Sequence, residues 1–114
     1  MNVFKSYVTR ASITIAIALA AIGLTVAPAY AGGPIVYNQR GSYVPMMYAP
    51  TSNVGVQHWM RNSTRFDMRC WTDKQWFNGN YGSSRWFWGQ AYDTGSYGYV
   101  HSSYVYYQWG IPHC

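Results

Sequence analysis

The sequence contains no glutamate and only three aspartates, against eight lysines and arginines in 114 residues. Catalysis by paired carboxylates, as in glycosidases, therefore has few candidate residues. The three histidines are far apart and show no metal-ligand spacing. No nucleophile, base and orienting residue form a recognisable set, so the sequence predicts a protein that is not an enzyme and has no metal and no cofactor.

A long apolar run occurs only near the N-terminus. Lys5 and Arg10 precede the apolar stretch from Ala11 to Val26, and an Ala-x-Ala motif ends at Ala31. This order is typical of a secretory signal peptide. The alternative is a membrane anchor, but an anchor needs about 20 uninterrupted apolar residues and Pro28 ends the run too early. We expect residues 1–31 to be removed after Ala31, which gives a secreted protein without an integral membrane segment.

Cysteine is rare as well, and both cysteines, Cys70 and Cys114, lie after the predicted cleavage site. In an oxidising compartment an even pair predicts one disulfide. A loop of this length would stabilise the fold by about 4 kcal/mol in the chain-entropy model. The alternative is a nucleophilic thiol at Cys70 assisted by His101, but the flanking residues MRCWTD match no activated-thiol pattern.

Residues 32–114 carry six cationic and three anionic side chains, a net charge of +3. A mildly basic exported protein is drawn weakly to anionic cell-wall polymers or lipid head groups. Because the cations are scattered and the chain carries an export signal, we expect no nucleic-acid partner. The low charge and the high aromatic content also argue against disorder.

No helical periodicity follows the signal, and short apolar runs alternate with clusters of Gly, Asn, Ser and Asp. This pattern predicts an all-β domain. We expect a flexible leader over residues 32–44, the domain over residues 45–108, and a C-terminal tail over residues 109–114 that the disulfide ties down.

The clearest strand pattern lies between Arg65 and Trp71, where Phe66, Met68 and Cys70 alternate with charged residues. Period two predicts that these three side chains point inward. Turns are expected before and after this strand, at residues 62–64 and 72–75, and residues 78–84 are expected to form a loop.

A second pattern covers residues 85–101. Trp86 and Trp88 share one face of a strand, whereas Phe87, Gly89 and Ala91 share the other. The small residues of the second face predict that it packs closely inside a tightly curved barrel. After a tight turn at residues 93–96, a further strand follows. One of its faces carries Tyr97, Tyr99 and His101, and the other carries Gly98 and Val100.

The order of these motifs resembles the Src-homology-3-like family, in particular its extracellular bacterial members. The resemblance rests on five short motifs, namely Trp86-Phe87, Thr94-Gly95, Gly98-Tyr99-Val100, Ser102-Ser103 and Tyr104-Val105. Upstream, Met47 corresponds to a core position and residues 49–52 to a small-Pro-Ser turn. Two departures are Tyr48, where the family usually has arginine, and the long insertion at residues 71–84. The implied fold is a small Src-homology-3-like barrel of five to six short strands.

The resemblance also implies a ligand-binding surface. The aromatic groove of the eukaryotic relatives corresponds to Trp86, Tyr104 and Tyr48, with His101 where proline is common. Residues 49–53 carry no acid, which disfavours recognition of proline-rich peptides. Bacterial relatives attach to peptidoglycan, and exposed aromatic rings suit sugars. The candidate ligand-binding residues are Tyr48, Trp86, Trp88, Tyr99, His101 and Tyr104. The exposed aromatic surface for a sugar would consist of Trp86, Trp88, Tyr97, Tyr99 and Tyr104.

Two functions are therefore expected for a non-catalytic binding module. The first is binding of a cell-wall glycan or peptide, or another component of the cell envelope, and the second is docking on an extracellular protein through the same aromatic groove. The aromatic side chains could also simply cover the barrel, and an aggregation-prone coat protein is a third hypothesis.

Overall fold

The computed structural model describes residues Gly32–Cys114, and the predicted signal peptide lies outside the described residues. Seven strands and one 3₁₀ turn confirm the all-β class. Within the described part of the chain, no helix is long and apolar enough to cross a membrane. The elements are β1 (Ile35–Val36), β2 (Tyr43–Met47), β3 (Val56–Arg61), β4 (Phe66–Asn78), β5 (Gly82–Ala91), β6 (Tyr97–His101), the 3₁₀ turn (Ser102–Tyr104) and β7 (Val105–Tyr106).

The strands form two antiparallel sheets, one with the order β3-β2-β6-β5-β4 and one that pairs β1 with β7. In a flat five-stranded sheet the edge strands β3 and β4 would lie about 19 Å apart. The chain connects Arg61 to Phe66 by a tight turn, in which the Thr64 N–H donates to the Arg61 carbonyl over 3.1 Å. Even fully extended, this connection would span at most about 17 Å. The large sheet is therefore strongly curved.

The predicted leader, residues 32–44, is part of the folded domain. It contains β1 and the first residues of β2, and Val36 and Val44 are both fully buried. Hydrogen bonds of 3.0 Å tie β1 to the start of β4, from the Val36 N–H to the Thr64 carbonyl and from the Phe66 N–H to the Pro34 carbonyl. The interpretation of this segment as a flexible leader is therefore corrected.

The core lies on the inner side of the curved sheet. The inward positions predicted for β5 are buried, as Phe87 and Ala91 show. A Cβ at Gly89 would lie 2.7 Å from the Phe66 ring and would overlap the Asp67 carbonyl, so β4 and β5 approach here only because residue 89 is glycine. The core residues are Val36, Val44, Met46, Met60, Phe66, Met68, Phe87, Ala91, Val100, Tyr104 and Val105.

Strand β4 is longer than predicted, since it continues through the expected turn at residues 72–75 to Asn78. One extra residue lies between Met68 and Cys70, where Gly89 and Trp88 are consecutive partners on β5. This bulge reverses the alternation of side chains. Cys70 therefore lies opposite Trp88 on the outer side of the sheet, and the prediction that it points inward is wrong.

A second irregularity in β4 lies between Asp73 and Phe77, which pair with Arg85 and Ser83. Four steps on β4 oppose two steps on β5, so two residues bulge out of the ladder. This bulge includes Gln75, whose backbone and side chain serve the site described below.

The predicted disulfide between Cys70 and Cys114 is confirmed, with an S–S distance of 2.08 Å and a Cα–Cα distance of 4.9 Å. The tail also pairs with β4. The Trp71 N–H donates to the Pro112 carbonyl over 3.0 Å, and the Cys114 N–H donates to the Trp71 carbonyl over 2.8 Å. The tail thus covers part of an edge strand that would otherwise present unpaired backbone groups.

Candidate functional site

One row of side chains crosses all five strands on the side of the large sheet that faces away from the core, which we call the outer face. Neighbouring members of the row are directly opposite each other in the strand register. Residues in register share a face of the sheet. From β3 to β4 the row consists of Val56, Met47, Tyr99, Trp88 and Cys70.

Three aromatic rings around this row, Trp88, Tyr97 and Tyr99, form what we call the platform. The Trp88 and Tyr97 ring centroids are 5.9 Å apart with an interplanar angle of 26°, and those of Trp88 and Tyr99 are 5.0 Å apart. Tyr97 is 39% exposed, and the other two rings are half-buried. The Arg69 guanidinium carbon lies 5.3 Å from the Tyr97 ring centroid, and its Nε donates to Asp67 over 2.7 Å. The platform is thus an ordered, accessible aromatic surface.

A small apolar pocket opens beside the platform, where β2 and β6 are paired only through Met47 and Tyr99. Because β2 and β6 are joined by this single residue pair, side chains rather than paired backbone surround the space next to it. The pocket has a volume of about 80 Å³. Its lining consists of Pro45, Met47, Ser52, Val56, Phe77, Trp86, His101 and Tyr104.

Four aromatic rings form the deep wall of the pocket. Ring centroids are 5.0 Å apart for Trp86 and His101, 5.2 Å for Phe77 and His101, and 6.4 Å for Phe77 and Tyr104. These are edge-on and tilted arrangements, which aromatic pairs favour. The structure thus brings together three of the predicted residues, Trp86, His101 and Tyr104, and adds Phe77.

Trp86 presents apolar atoms to the pocket but no free donor. Its side chain is 2% exposed, and its indole Nε1–H donates to the Gln75 carbonyl over 2.9 Å. The two-residue bulge in β4 contributes this carbonyl. A ligand in the pocket would therefore contact the Trp86 ring without a hydrogen bond to it.

Gln75 also fixes the rim of the pocket. Its Oε1 accepts hydrogen bonds from the Thr51 hydroxyl and the Ser52 N–H, both over 2.6 Å, and from the Ser52 hydroxyl over 3.0 Å. Its backbone N–H donates to the Pro50 carbonyl over 3.4 Å. One residue of β4 therefore holds both the Trp86 ring and the turn at residues 50–52.

The hydrogen bonds of His101 define one tautomer of its imidazole. Its Nε2 lies 2.8 Å from the Ser83 carbonyl, which can only accept, so Nε2 carries the proton. Its Nδ1 accepts from the Ser103 hydroxyl over 2.8 Å, and that oxygen accepts from the Asn80 N–H over 3.0 Å. Burial lowers the pKa of His101. The polar groups of the pocket floor are thus paired with each other.

The environment of Tyr104 is similar, because burial raises the pKa of its phenol, an effect that Arg40 partly opposes. Ser103 and His101 resemble a nucleophile with its base, but the two residues are only 2% and 1% exposed. Both histidine nitrogens are committed to protein partners. A ligand in the pocket would therefore contact apolar surface and the edges of aromatic rings.

The predicted ligand-binding residues therefore separate into two adjoining groups and one outlier. Trp86, His101 and Tyr104 line the pocket, whereas Trp88 and Tyr99 belong to the platform. Tyr48 is 63% exposed in the segment after β2 and is not part of the pocket lining.

Two details of the expected surface need correction. Trp86 and Tyr104 were expected to lie in an exposed aromatic surface, and the strand pattern grouped His101 with Tyr97 and Tyr99. All three are buried, because Phe77 at the end of β4 folds against them.

Five of the lining residues are not among the predicted ligand-binding residues, namely Pro45, Met47, Ser52, Val56 and Phe77. Phe77 lies in the long insertion at residues 71–84, and only the continuation of β4 past Thr72 brings it to the pocket. Among residues 32–114, no group of three or more His, Cys, Asp or Glu side chains is placed to hold a metal ion. Comparison of the chain with family models, with curated proteins and with solved structures gives no match.

Proposed function

We propose that this chain is an exported, non-catalytic binding module of Src-homology-3-like architecture that binds a saccharide of the cell envelope, with peptidoglycan as the first candidate. The observation that carries the proposal is the platform, in which the Trp88 and Tyr97 rings are nearly parallel and accessible. The C–H face of a sugar packs on such rings while its hydroxyl groups stay hydrated.

The order of the elements supports the architecture. A tight turn containing Gly95 joins β5 to β6, a single 3₁₀ turn follows β6, and β7 then pairs with β1. The motifs that carry the family resemblance follow the same order, with Thr94-Gly95 in the turn, Ser102-Ser103 in the 3₁₀ turn and Val105 at the start of β7. The strong curvature of the large sheet is consistent with a small barrel.

Export is proposed from the N-terminal segment, and the disulfide supports it because such bonds persist in oxidising compartments. N-terminal sequencing of the protein recovered outside the cytoplasm is the direct test. We expect the first residue to be Gly32. A chain that retains residues 1–31 would contradict cleavage after Ala31.

The pocket offers too few free hydrogen-bond donors for an extended peptide. A peptide backbone presents carbonyl groups that need donors. The two ring N–H donors near the pocket, Trp86 Nε1 and His101 Nε2, are both committed to backbone carbonyls of the protein. Ring stacking needs no such donor, and the platform is accessible.

A second candidate function is docking on an extracellular protein, and the pocket favours it. Its volume of about 80 Å³ is small compared with about 300–1,000 Å³ for pockets that take small molecules. A cavity of this size suits a single apolar side chain from a partner. Such an anchor in an apolar pocket is a common centre of protein interfaces.

The two candidates can be separated by co-sedimentation with purified peptidoglycan at physiological salt. The variants Trp88→Ala and Tyr97→Ala test the platform, and Val56→Phe fills the pocket. Tyr81→Ala is the matched control, since Tyr81 is an exposed ring on the β4–β5 connection. Loss of one ring contact worth about 1 kcal/mol should weaken binding about fivefold.

We expect the platform variants to bind less well and Tyr81→Ala to bind like the wild type, with near-ultraviolet circular dichroism as the check on folding. If the wild type does not sediment with peptidoglycan, the saccharide proposal is wrong. If only Val56→Phe loses binding, the pocket is the binding site, and docking of an apolar side chain becomes the better account.

A further inference from the structure

The outer face continues beyond the platform to a cationic end. The Arg65 guanidinium carbon lies 4.4 Å from the Tyr92 ring centroid, and both side chains are exposed. The Tyr92 N–H donates to the Arg65 carbonyl over 3.0 Å, so the two residues are neighbours across β4 and β5. The next pair of these strands on the outer face, Asp67 and Gln90, is in register with Tyr97 of the platform.

Arg65 has no carboxylate partner among the described residues, because the three aspartates of the chain are engaged elsewhere. Asp67 binds Arg69 over 2.7 Å, Asp73 binds Arg85 over 2.9 Å, and Asp93 binds His58 over 2.8 Å. A guanidinium stacked on a ring keeps the edges of its plane for a bidentate contact with a carboxylate or phosphate. The Arg65 guanidinium is therefore available to bind an anionic group of a ligand.

The spacing along the strand fits a ligand that spans both features. Tyr92 follows Trp88 by four residues along β5 and its end, which corresponds to about 13 Å. Several linked sugar rings can cover such a distance, whereas one sugar cannot. Arg69, which lies between them, is already neutralised by Asp67, so the unpaired positive charge is at the Tyr92 end.

We propose that the bound saccharide is acidic and that its carboxylate- or phosphate-bearing unit binds Arg65 on Tyr92, while neighbouring sugar rings contact Trp88 and Tyr97. This inference rests on the proposed function and adds the charge and the orientation of the ligand. The exposed pair keeps the acidic unit near water, so its contribution to affinity decreases as salt screens the charges.

Arg61 provides a matched control. Its guanidinium carbon lies 5.5 Å from the Tyr43 ring centroid, and no carboxylate partner for it occurs among residues 32–114 either. It lies at the end of β3, however, and its ring partner Tyr43 is on β2, whereas Tyr92, the ring partner of Arg65, follows β5. Arg61→Gln and Arg65→Gln therefore remove the same charge and the same type of ring contact at different places.

The test is calorimetric titration of the chain from Gly32 to Cys114 with two oligosaccharides of equal length. One is a hyaluronate hexasaccharide, which alternates acidic and neutral sugars, and the other is N-acetylchitohexaose, which is neutral. At low ionic strength the wild type should bind the acidic ligand about fivefold more tightly or better. Arg65→Gln should remove this preference, and Arg61→Gln should retain it.

Each alternative result has a distinct meaning. Equal affinity of the wild type for both ligands, or equal loss in both arginine variants, would overturn the acidic subsite and leave the platform proposal intact. Unchanged affinity of Trp88→Ala for both oligosaccharides, together with a charge preference that depends on Arg65, would overturn the platform and retain the subsite. Failure of the wild type to bind either oligosaccharide would overturn both.

Discussion

The Ser103 hydroxyl donates a hydrogen bond to His101 Nδ1 over 2.8 Å, and this contact fixes the imidazole with its proton on Nε2. The same hydroxyl oxygen accepts from the Asn80 N–H, and His101 Nε2 donates to the Ser83 carbonyl. We call these hydrogen bonds between Asn80, Ser103, His101 and Ser83 the relay. The relay joins the β4–β5 connection, β5 and the 3₁₀ turn. It holds the floor of the pocket in one arrangement, with every donor matched to an acceptor.

Protonation of His101 should destabilise the fold. Burial lowers the pKa of the folded-state imidazole, so below the usual value of about 6.5 the unfolded chain takes up a proton that the folded chain does not. The free energy of unfolding therefore decreases as the pH falls from 7 to 5, by at most about 1.4 kcal/mol per pH unit for this site. Urea unfolding at several pH values measures it.

The variant His101→Gln identifies the source of this pH dependence. It should be less stable than the wild type at pH 7, because buried groups of the relay lose their partner, by about 1–3 kcal/mol. Its stability should change less between pH 7 and pH 5. Parallel curves for the two proteins would show that another group is responsible.

Gly79 should not tolerate a side chain, because it lies directly against the relay. A Cβ there would fall on Ser103 Oγ and would lie 3.0 Å from Tyr104 Cζ and 3.3 Å from His101 Nδ1. Gly79→Ala should therefore cost about 2 kcal/mol of unfolding free energy. Gly110→Ala is the matched control, since a Cβ at Gly110 meets no atom within 4 Å. Equal urea midpoints for the two variants would contradict the packing argument.

The second half of the domain could be predicted because its signals are local. Period two alone places Phe87 and Ala91 inward, and the positive φ of 78° at Gly95 fits the turn that its sequence predicts. The start of the domain gives no such signal. Val36 is buried because β1 pairs with β7. The Gly and Pro residues around β1 predict a loop, so the sequence does not indicate this pairing.

The bulges of β4 explain most of what the sequence could not show about the site. The alternation of side chains in the sequence does not show where a bulge inserts an extra residue. Each extra residue moves all later side chains to the other face of the sheet. Cys70 therefore faces outward, and Phe77 reaches His101 instead of lying in a loop. The pairing of Cys70 with Cys114, in contrast, needed only the count of cysteines.

Gln75 should be required for the order of the pocket rim. Gln75→Ala removes the acceptor of three hydrogen bonds from Thr51 and Ser52, and we expect faster amide hydrogen exchange at Ser52 and a stability loss of about 1–2 kcal/mol. Gln75→Glu keeps an oxygen in place and should preserve slow exchange. If both variants exchange like the wild type, the side chain does not hold the turn.

Removal of the disulfide should lower stability substantially. The bond joins residues 44 positions apart, for which the chain-entropy model gives about 4 kcal/mol. The double variant Cys70→Ser and Cys114→Ser avoids free thiols and isolates this term in urea unfolding. Intact-mass measurement of the wild type should show a gain of two hydrogens on reduction, and an unchanged mass would contradict the bond.

The position of the last residue has a practical consequence for binding studies. The Cα of Cys114 is 4.9 Å from that of Cys70, and Cys70 lies opposite Trp88 of the platform. A purification tag or fusion partner attached after Cys114 would therefore emerge beside the proposed ligand and could compete with it for space. A small fluorophore at that point, in contrast, would report directly on what approaches the Trp88 ring.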